Sequence, residues 1–185
     1  MKNTVKIISI MLCLLLCAAF FGCKKEDKPA ETPEDLTGKP FSNSVDMGVV
    51  IDGTAYMVRV DSAEVLSKLG EGYKYAETIS CVYEGYDKTF TYDGIVVSTV
   101  PVDGKDVVEM FSVTGGDYKT VRGIGIGATR EEVIKAYGEK FFDDGYYVTY
   151  TESGDPENIS EMRIQFRFVD DILTEYYVHS PSYSN

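Results

Sequence analysis

The chain has very few of the residues from which most catalytic centres are built. It contains no tryptophan, and His179 is the only histidine among 185 residues. A nucleophile activated by histidine needs a third group that orients the base, and no spacing around His179 supplies one. The sequence has no P-loop, and the segment GIGIG lacks the spacing and the βαβ context of a dinucleotide fingerprint. We therefore expect no enzyme, no cofactor and no catalytic residue, and interpret His179 as a surface residue.

Positive charge is also scarce. The chain holds 18 lysine and arginine residues against 30 aspartate and glutamate residues, so its formal net charge is −12. The phosphate backbone of a nucleic acid would repel such a surface, which excludes nucleic acid as an expected partner. The acidic pairs lie in predicted turns, where aspartate serves the main chain, and residues 103–106 lack the spacing of a calcium loop. No metal ligand is predicted.

The first 22 residues have the anatomy of an export signal. Lys2 and Lys6 precede an apolar run at 7–21 that is short for a membrane span. The run ends in AFFGC, which resembles the lipobox of bacterial lipoproteins, where the cysteine thiol is acylated and the chain is cleaved before it. The resemblance implies a signal peptide at 1–22 and a lipid on Cys23. It also implies a protein anchored to the cell membrane and facing outward, extracellular or, in a host with two membranes, periplasmic.

The lipobox departs from the family pattern at Phe20, where leucine is preferred. The alternative is a secretory peptide or anchor helix whose cysteine is incidental. The signal segment contains two lysines and no acids, so its removal changes the net charge to −14. Residues 23–43 are charged, contain prolines and lack an apolar period, which predicts a disordered tether that holds the folded part away from the membrane.

Cysteine is limited to four residues. Cys13 and Cys17 would leave with the signal peptide and Cys23 would carry lipid, so only Cys81 remains in the folded part. One cysteine allows neither an intrachain disulfide nor a cysteine-based metal site. Cys81 lies in the segment ETISCVYEG, which predicts a strand at 77–84, and we expect Cys81 to be a small buried side chain.

The segment 120–138, TVRGIGIGATREEVIKAYG, contains the clearest helix signal in the chain. Thr129 and Glu132 have the spacing of a capping box, and Gly138 supplies the stop. A second copy lies upstream at 60–70, where corresponding residues occur at a constant offset. The matched pairs are Asp61 and Thr129, Glu64 and Glu132, Val65 and Val133, Leu66 and Ile134, Leu69 and Tyr137, and Gly70 and Gly138. The constant offset predicts an internal duplication.

Short apolar runs between turn residues predict antiparallel strands. Asp-Gly occurs at 52, 93, 103 and 144, and this dipeptide is typical of tight hairpin turns. Hairpins are predicted at 45–60, 88–100 and 160–180. The predicted fold class is α+β, with two tandem repeats at 44–116 and 117–185, each a short helix packed on an antiparallel β-sheet.

Alternation of apolar and polar residues assigns two faces to the sheet of the second repeat. The predicted inward set is Tyr146, Val148, Tyr150, Ile164, Phe166, Phe168, Ile172, Tyr176 and Val178. The predicted outward set is Tyr147, Thr149, Arg163, Gln165, Arg167, Glu175, Tyr177 and His179. The first repeat alternates less clearly, since Val107, Phe111 and Val113 face away from Val108 and Met110. Which face of the first repeat is exposed stays open.

The segment GIGIGATREEVIKAYG resembles the glycine-x-glycine, helix, glycine signature of small lipoproteins with the β-lactamase-inhibitor-protein-like fold. That group includes outer-membrane assembly lipoproteins and many uncharacterised Gram-positive lipoproteins. The match is strong in the second copy and weaker in the first, where Arg59-Val60-Asp61 replaces the glycine-rich lead-in. The resemblance implies tandem helix-plus-sheet repeats whose sheet can form a concave surface, and a role in binding other proteins. The motif is structural, so it transfers no site residue.

Tyrosines mixed with arginines on the outward face are the remaining functional signal. Aromatic and arginine residues are enriched where proteins bind one another, so Tyr147, Arg163, Arg167 and Tyr177 form the candidate partner-binding face. Such a face can equally be a solvated sheet. The predicted function is a lipid-anchored cell-envelope protein with a non-catalytic role in protein–protein interaction. The alternative is a small-ligand or cation-binding lipoprotein receptor that uses acidic loops and tyrosines.

Overall fold

Antiparallel strands are the main regular structure of residues 36–182, the part of the chain that the structure, a computed structural model, describes. The helices are α1 (Asn43–Asp46), α2 (Ala63–Leu69) and α3 (Arg130–Tyr137). The strands are β1 (Gly48–Ile51), β2 (Thr54–Met57), β3 (Lys74–Ile79), β4 (Tyr86–Thr91), β5 (Ile95–Val102), β6 (Lys105–Val113), β7 (Lys119–Thr120), β8 (Phe142–Asp143), β9 (Val148–Thr151), β10 (Arg163–Val169) and β11 (Ile172–His179).

These strands form two antiparallel sheets. The large sheet has the strand order β3-β4-β5-β6-β11-β10-β9-β8, and the small sheet has the order β2-β1-β7. The pairing of β6 with β11, which sets Ser112 opposite Tyr177, joins the first four strands of the large sheet to its last four. The fold is therefore α+β in class, with much antiparallel sheet and few helices.

Three hairpins close with two-residue turns in the left-handed region. Asp52-Gly53 joins β1 to β2 with φ of 48° and 80°, and Asp103-Gly104 joins β5 to β6 with 49° and 75°. Positive φ at both central residues matches the twist of the flanking strands, and aspartate and glycine adopt it readily. Asp170-Asp171 has the same conformation between β10 and β11, with φ of 50° and 61°, so the last hairpin closes without glycine.

The two longer helices begin differently. At α3, Thr129 Oγ1 accepts the Glu132 N–H at 3.2 Å and the Glu132 carboxylate accepts the Thr129 N–H at 2.7 Å, so the predicted capping box is confirmed. At α2 the N-cap is Ser62, whose side chain makes no capping bond. Asp61 Oδ1 instead accepts the Ala63 N–H at 3.0 Å. Asp61 therefore does not occupy the N-cap position that Thr129, its predicted counterpart, occupies in α3.

One face of the large sheet carries the core. Its buried side chains are Phe90, Ile95, Val97, Phe111, Val113, Val148, Tyr150, Ile164, Phe166, Tyr176 and Val178. Val65 of α2, Val133 and Tyr137 of α3, and Val49 and Ile51 of β1 belong to the same cluster. The helices and the small sheet thus cover this face, and most of the predicted inward set of the second half is confirmed.

A β-bulge explains why the first half alternates poorly. The pairing of β5 with β6 shifts after Ser98, which leaves Glu109 of β6 without a residue opposite it. Val108 therefore lies on the core side together with Phe111 and Val113, and all three are fully buried. The prediction that Val108 faces away from Phe111 and Val113 is therefore wrong.

A second bulge corrects the inward set of the second half. The pairing of β10 with β11 shifts after Arg167 and leaves Thr174 as the extra residue. Leu173 then takes the fully buried position, and Ile172 is 42% exposed, so the placement of Ile172 in the core is wrong. Tyr146 is also wrongly placed there: it lies in the turn before β9 and is 74% exposed.

Cys81 is not the buried strand residue that the sequence predicts. Strand β3 ends at Ile79, and Cys81 lies exposed in the loop 80–85 that leads to β4. Ser80 Oγ accepts the Tyr83 N–H at 3.2 Å. A side-chain bond of this kind competes with the strand ladder and turns the chain.

The end of the predicted tether packs against the sheet. Residues 36–43 of the segment 23–43 are described, and Phe41 is buried in the core cluster while Asn43 begins α1. The strand predicted from residue 45 begins only at Gly48. Cys23 and the rest of 1–35 lie outside the described residues. No helix within 36–182 is long and apolar enough to cross a membrane.

Candidate functional site: the open face of the large sheet

The face of the large sheet opposite the core is open to solvent. Cross-strand pairing places two rows of side chains on this open face. One row is Thr149, Gln165, Tyr177, Ser112 and Val96, and the other is Thr151, Arg163, His179, Met110 and Ser98. All except Thr149 keep part of their side chain accessible. The open face is thus mostly polar, with rings and one methionine at its centre.

Tyr147 and Tyr177 contact each other on the open face. Their ring centroids are 5.8 Å apart and the rings are inclined at 75°, an edge-to-face contact. Asp144 Oδ1 accepts the Tyr147 N–H at 2.7 Å and fixes the chain just before β9. Partial burial, followed by the nearby Glu175 and Tyr147, raises the pKa of Tyr177 above its ordinary value. The pair offers two amphipathic rings held in a fixed arrangement.

Arg167 lies beside this ring pair with its charge accessible. Its register partner is Glu175, and Arg167 Nη1 is 3.5 Å from Glu175 Oε2. The side chain of Arg167 is 51% exposed. An exposed ion pair at this distance contributes little to stability, so the guanidinium is free to bind another carboxylate.

Arg163 lies farther along β10, opposite His179. Its Nε donates to the Glu161 carbonyl at 3.1 Å and its Nη2 to the Asn158 carbonyl at 2.9 Å. Burial lowers the pKa of His179; Glu109 acts against this shift and Arg163 adds to it. The imidazole is therefore neutral at pH 7, and it is half-buried in place of the surface position that we expected.

The four predicted partner-binding residues lie on one face but not in one cluster. Tyr147 and Tyr177 are in contact, and Arg167 is next to them. Arg163 is four residues from Arg167 along the same strand, about 13 Å away at the usual strand rise. The structure thus separates a ring patch, formed by Tyr147, Tyr177 and Arg167, from a second region around Arg163.

That second region is a groove of about 430 Å³ at the β8 side of the open face. Thr149, Thr151, Arg163 and Gln165 form the part on the sheet, and Lys140 lines the groove from the segment before β8. Gln165 Nε2 donates to Thr149 Oγ1 at 3.2 Å. The sequence analysis did not identify Lys140 or Thr151. Only the fold brings these residues to Arg163, and no spacing signal marks them.

A buried ion pair is a further feature that the sequence analysis missed. Arg122 follows β7, and its side chain is only 2% exposed, while the Asp46 side chain is fully buried. Arg122 Nε and Nη2 each donate to an Asp46 carboxylate oxygen at 2.7 Å, a two-point contact. Burial alone would lower the pKa of the guanidinium, but the bonds to Asp46 and its charge raise it overall.

The remaining donors of Arg122 bind main-chain carbonyls. Nη1 donates to Leu36, Lys39 and Ala136 at 3.1, 2.8 and 2.8 Å, and Nη2 donates to Pro40 at 2.9 Å. The guanidinium carbon also lies 4.7 Å from the ring centroid of Tyr137. Arg122 therefore fastens the segment 36–46 to the end of α3. The signal that could have indicated this role is its position as a lone charge in the segment TVRGIGIG.

Two of the acidic residues in and beside the predicted turns, Asp143 and Asp106, are engaged within the fold. Asp143 Oδ1 accepts the Gly145 N–H at 2.9 Å, and its other oxygen is 2.9 Å from Arg130 Nη1. Asp106 pairs with Lys88 at 2.7 Å. Within residues 36–182, no group of three or more histidine, cysteine, aspartate and glutamate side chains could hold a metal ion.

A scan against protein-family models found no match, and searches of curated proteins and of solved structures found no similar protein.

Proposed function

We propose that this chain is a lipid-anchored protein of the bacterial cell envelope that binds another protein through the open face, without catalysis. The edge-to-face pair of Tyr147 and Tyr177 is the observation that carries the proposal. Tyrosine rings supply a large contact area with little loss of side-chain entropy, and arginine is the charged residue most often found in interface hot spots. Arg167 is next to the rings and only weakly paired. The ring patch has the composition of such a hot spot.

The lipid anchor is proposed at Cys23, in the lipobox-like segment AFFGC. The expected result is that the full chain, expressed in its source cells, incorporates a fatty-acid probe and that Cys23→Ala does not. Cys81→Ala is the matched control and should still be labelled. Label on Cys23→Ala contradicts the anchor.

The proposed architecture is two tandem repeats, α2 with β3–β6 and α3 with β8–β11. Main-chain hydrogen bonds support it. They join the entrance of α2 to the β5–β6 hairpin and the entrance of α3 to the β10–β11 hairpin. Before α2 they run from Arg59 N to Val108 O, from Val108 N to Val60 O and from Ser62 N to Asp106 O, at 2.7, 2.9 and 2.8 Å. Before α3 they run from Gly127 N to Leu173 O, from Leu173 N to Ala128 O and from Arg130 N to Asp171 O, at 2.9, 2.8 and 2.9 Å. The spacing in sequence is the same in both sets, and Val108 and Leu173 each precede a bulged residue.

The ends of the two helices support the same proposal. Gly70 and Gly138 end α2 and α3 with φ of 81° and 87°. The Gly70 carbonyl accepts the Tyr92 hydroxyl at 3.1 Å, and the Gly138 carbonyl accepts the Tyr150 hydroxyl at 2.8 Å. In each case the aromatic ring three residues after the glycine contacts that tyrosine, with centroids 5.4 and 5.8 Å apart.

Substitution in the ring patch tests the binding role. Tyr177→Ala in the full chain should reduce capture of the partner, measured by crosslinking in intact cells and quantitative mass spectrometry, by roughly tenfold or more, because hot-spot truncations weaken binding by at least that factor. The melting temperature should change little, since Tyr177 is only half-buried. Tyr146→Ala, in the turn beside the patch, is the control and should capture the partner normally. Normal capture by Tyr177→Ala, or a large loss of stability, contradicts the proposal.

The alternative function is a receptor for a small ligand, and the groove is the observation that favours it. Its volume of about 430 Å³ lies within the range of small-molecule sites. Isothermal titration calorimetry of the full chain with a panel of sugars and with calcium chloride separates the two functions. Saturable heat that Arg163→Gln removes supports a receptor, and its absence together with loss of capture in Tyr177→Ala supports protein binding.

A further inference from the structure

Strand β3 forms one edge of the large sheet and is open to solvent along its whole length. Among the described strands it pairs only with β4, and all six of its residues are exposed. The strand at the other edge, β8, has only two residues. No proline lies in β3, and its register with β4 runs without a bulge. A regular, unprotected edge of this kind is a template for a further strand.

The pairing of β3 with β4 fixes which main-chain groups point outward. The Ser80 N–H donates to the carbonyl of Gly85, just before β4, at 3.0 Å. Main-chain groups alternate in direction along a strand, so those of Tyr75, Glu77 and Ile79 point away from β4. Within residues 36–182, no hydrogen bond uses these outward groups. They are therefore available to another strand.

A second copy of β3 fits this edge best in one register. In an antiparallel pair of identical strands about a twofold axis normal to the sheet, one residue lies opposite its own copy. A pair centred on Ala76 matches residues 74–78 and a pair centred on Glu77 matches residues 75–79, whereas other centres match fewer residues of β3. Centring on Glu77 places two carboxylates opposite each other, which is destabilising. Centring on Ala76 places Tyr75 opposite Glu77 and Lys74 opposite Thr78, so no like charges are opposed.

We propose that β3 pairs with β3 of a second copy of this chain, antiparallel and centred on Ala76. The outward main-chain groups of Tyr75 bond to those of Glu77 in the second copy, and the reverse. The Tyr75 hydroxyl, which donates to Glu77 within one chain, then also lies across from the Glu77 carboxylate of the second copy. Because the pair uses β3 of both copies and β8 is too short to add another, association stops at two copies.

The pairing belongs to the anchored chain. A six-residue strand buries far less than the roughly 800 Å² per partner of a stable interface, so in dilute solution the chain is a monomer and its edge stays open. The lipid proposed at Cys23 confines copies to one membrane and raises their effective concentration. The inference therefore rests on the anchor in the proposed function, and not on the ring patch.

Disulfide trapping of the full chain in its source cells tests the inference. Every variant also carries Cys81→Ala, so the introduced cysteine is the only one within residues 36–182. The main-chain groups of Ala76 point to β4, so Ala76→Cys forms a pair without main-chain bonds across the axis, with Cα atoms about 4.5 Å apart. Thr78→Cys, the matched control on the same face, separates the two Cα atoms by about 13 Å. Since a disulfide needs Cα atoms within about 7 Å, mild oxidation should link Ala76→Cys into a dimer at least about tenfold more than Thr78→Cys.

The outcomes separate the pairing from the anchor, because incorporation of a fatty-acid probe is measured in the same cells. Label without linkage of Ala76→Cys overturns the pairing and leaves the anchor standing. Linkage without label supports the pairing and overturns the anchor, and absence of both overturns the two together. Equal linkage at the two positions indicates random collision and overturns the pairing. A product of Ala76→Cys with a protein of another mass also overturns it, because the edge then receives a different partner.

A proline substitution gives an independent measurement of the main-chain bonds. Glu77→Pro, added to Ala76→Cys, removes an outward N–H, and an edge strand tolerates proline where its N–H faces solvent. Linkage should fall by about fivefold or more, since main-chain bonds supply the affinity of an added strand, and the melting temperature of the purified chain should change little. Glu77→Gln keeps the N–H, removes the same charge and should link normally. Equal linkage in the two variants overturns the pairing.

Discussion

The large sheet has two halves, each covered by one helix: β3–β6 with α2, and β8–β11 with α3. The same pattern of main-chain hydrogen bonds forms at the entrance of each helix, but the side chains there differ. Gly127 adopts φ of 91° before α3, whereas Arg59 adopts φ of 65° at the corresponding point before α2. A capping box begins α3 and an aspartate turn begins α2. The difference indicates that the bonding scheme restricts the backbone much more than it restricts the residue types.

The two halves also differ in how much of the core side of the sheet is buried at its edge. Every residue of β3 is exposed, and at this edge Ile79 is 76% and Tyr75 is 49% exposed on the core side of the sheet. In the second half the edge strand β8 has only two residues, and the strand next to it, β9, is mostly buried. The less covered edge is therefore that of the first half, whereas the second half is bound by the buried Arg122, which donates to the Ala136 carbonyl of α3.

The largest expected effect is loss of the Arg122 guanidinium. Arg122→Met leaves the buried Asp46 carboxylate without its counter-ion, which should lower the free energy of unfolding by about 3–5 kcal/mol. The matched substitution in the first half is Lys88→Met, because the Lys88–Asp106 pair has the same 2.7 Å distance but side chains that are 27% and 34% exposed. Lys88→Met should lower it by at most about 1 kcal/mol.

Urea unfolding of the full chain measures both changes. Arg122→Lys should also be strongly destabilising, since a single ammonium group cannot reach the carboxylate and four carbonyls together. Similar losses of unfolding free energy in Arg122→Met and Lys88→Met would show that the two ion pairs stabilise the fold equally, and would contradict the expected difference.

A smaller effect is expected where tyrosine hydroxyls bind the ends of the helices. Tyr150→Phe and Tyr92→Phe each remove one hydrogen bond to a glycine carbonyl, a loss of about 0.5–1.5 kcal/mol. Tyr150 should lie at the upper end, because it is fully buried and Tyr92 is not. Thermal unfolding measures the pair, with Tyr146→Phe as an exposed control. No loss in either variant removes this support for two equivalent repeats.

Substitutions at the two helix caps should differ in their loss of unfolding free energy by a smaller amount. Thr129→Ala removes the capping box and should destabilise by about 1 kcal/mol, and Asp61→Ala should have a smaller effect because no reciprocal bond is lost. Bonds from Thr129 lower the pKa of Glu132. A carboxylate whose folded pKa is depressed stabilises above its unfolded pKa, and this contribution is lost as the pH falls through the folded pKa.

Acid titration of stability therefore distinguishes the two caps. Glu132→Gln should flatten the decline in stability below about pH 4, and Glu64→Gln should not, since Glu64 lies at the matching position of a helix without a capping box. A similar decline in stability at acid pH in both variants implies that Glu132 does not accept the bonds from Thr129 in solution.

The smallest effect is expected at the exposed edge. Ile79→Thr should change the free energy of unfolding by less than about 0.5 kcal/mol, whereas Ile164→Thr, at a fully buried position of the second half, should lower it by several times that amount. A large loss at Ile79, measured by urea unfolding, indicates that β3 is covered in solution.

The parts of the fold that could be predicted depend on neighbours in sequence. The capping box at Thr129, the glycine stops and the Asp-Gly turns are local, and each carries its own signal. The bulges at Glu109 and Thr174 are not local, because they follow from the register of two strands and the position of a helix entrance. Alternation counted along one strand therefore separated Val108 from Phe111 and Val113, and it placed Ile172 in the core.

The candidate site could be predicted only in part for the same reason. Tyr147 and Tyr177 belong to strands whose alternation is regular near them, so their shared face follows from the sequence. Lys140 comes from the segment before β8, and Asp46 reaches Arg122 across a separation of 76 residues. Contacts of that separation leave no periodic pattern, and only the packed chain shows them.

The carbonyl contacts of Arg122 have a mechanical consequence. The lipid anchor proposed at Cys23 would apply force to the described part of the chain at the segment that contains Leu36, Lys39 and Pro40. Because one guanidinium grips all three carbonyls and Asp46 at once, tension is shared among several bonds loaded in parallel. With the proposed anchor, Arg122 would thus keep most of that force from reaching the strands of the sheet.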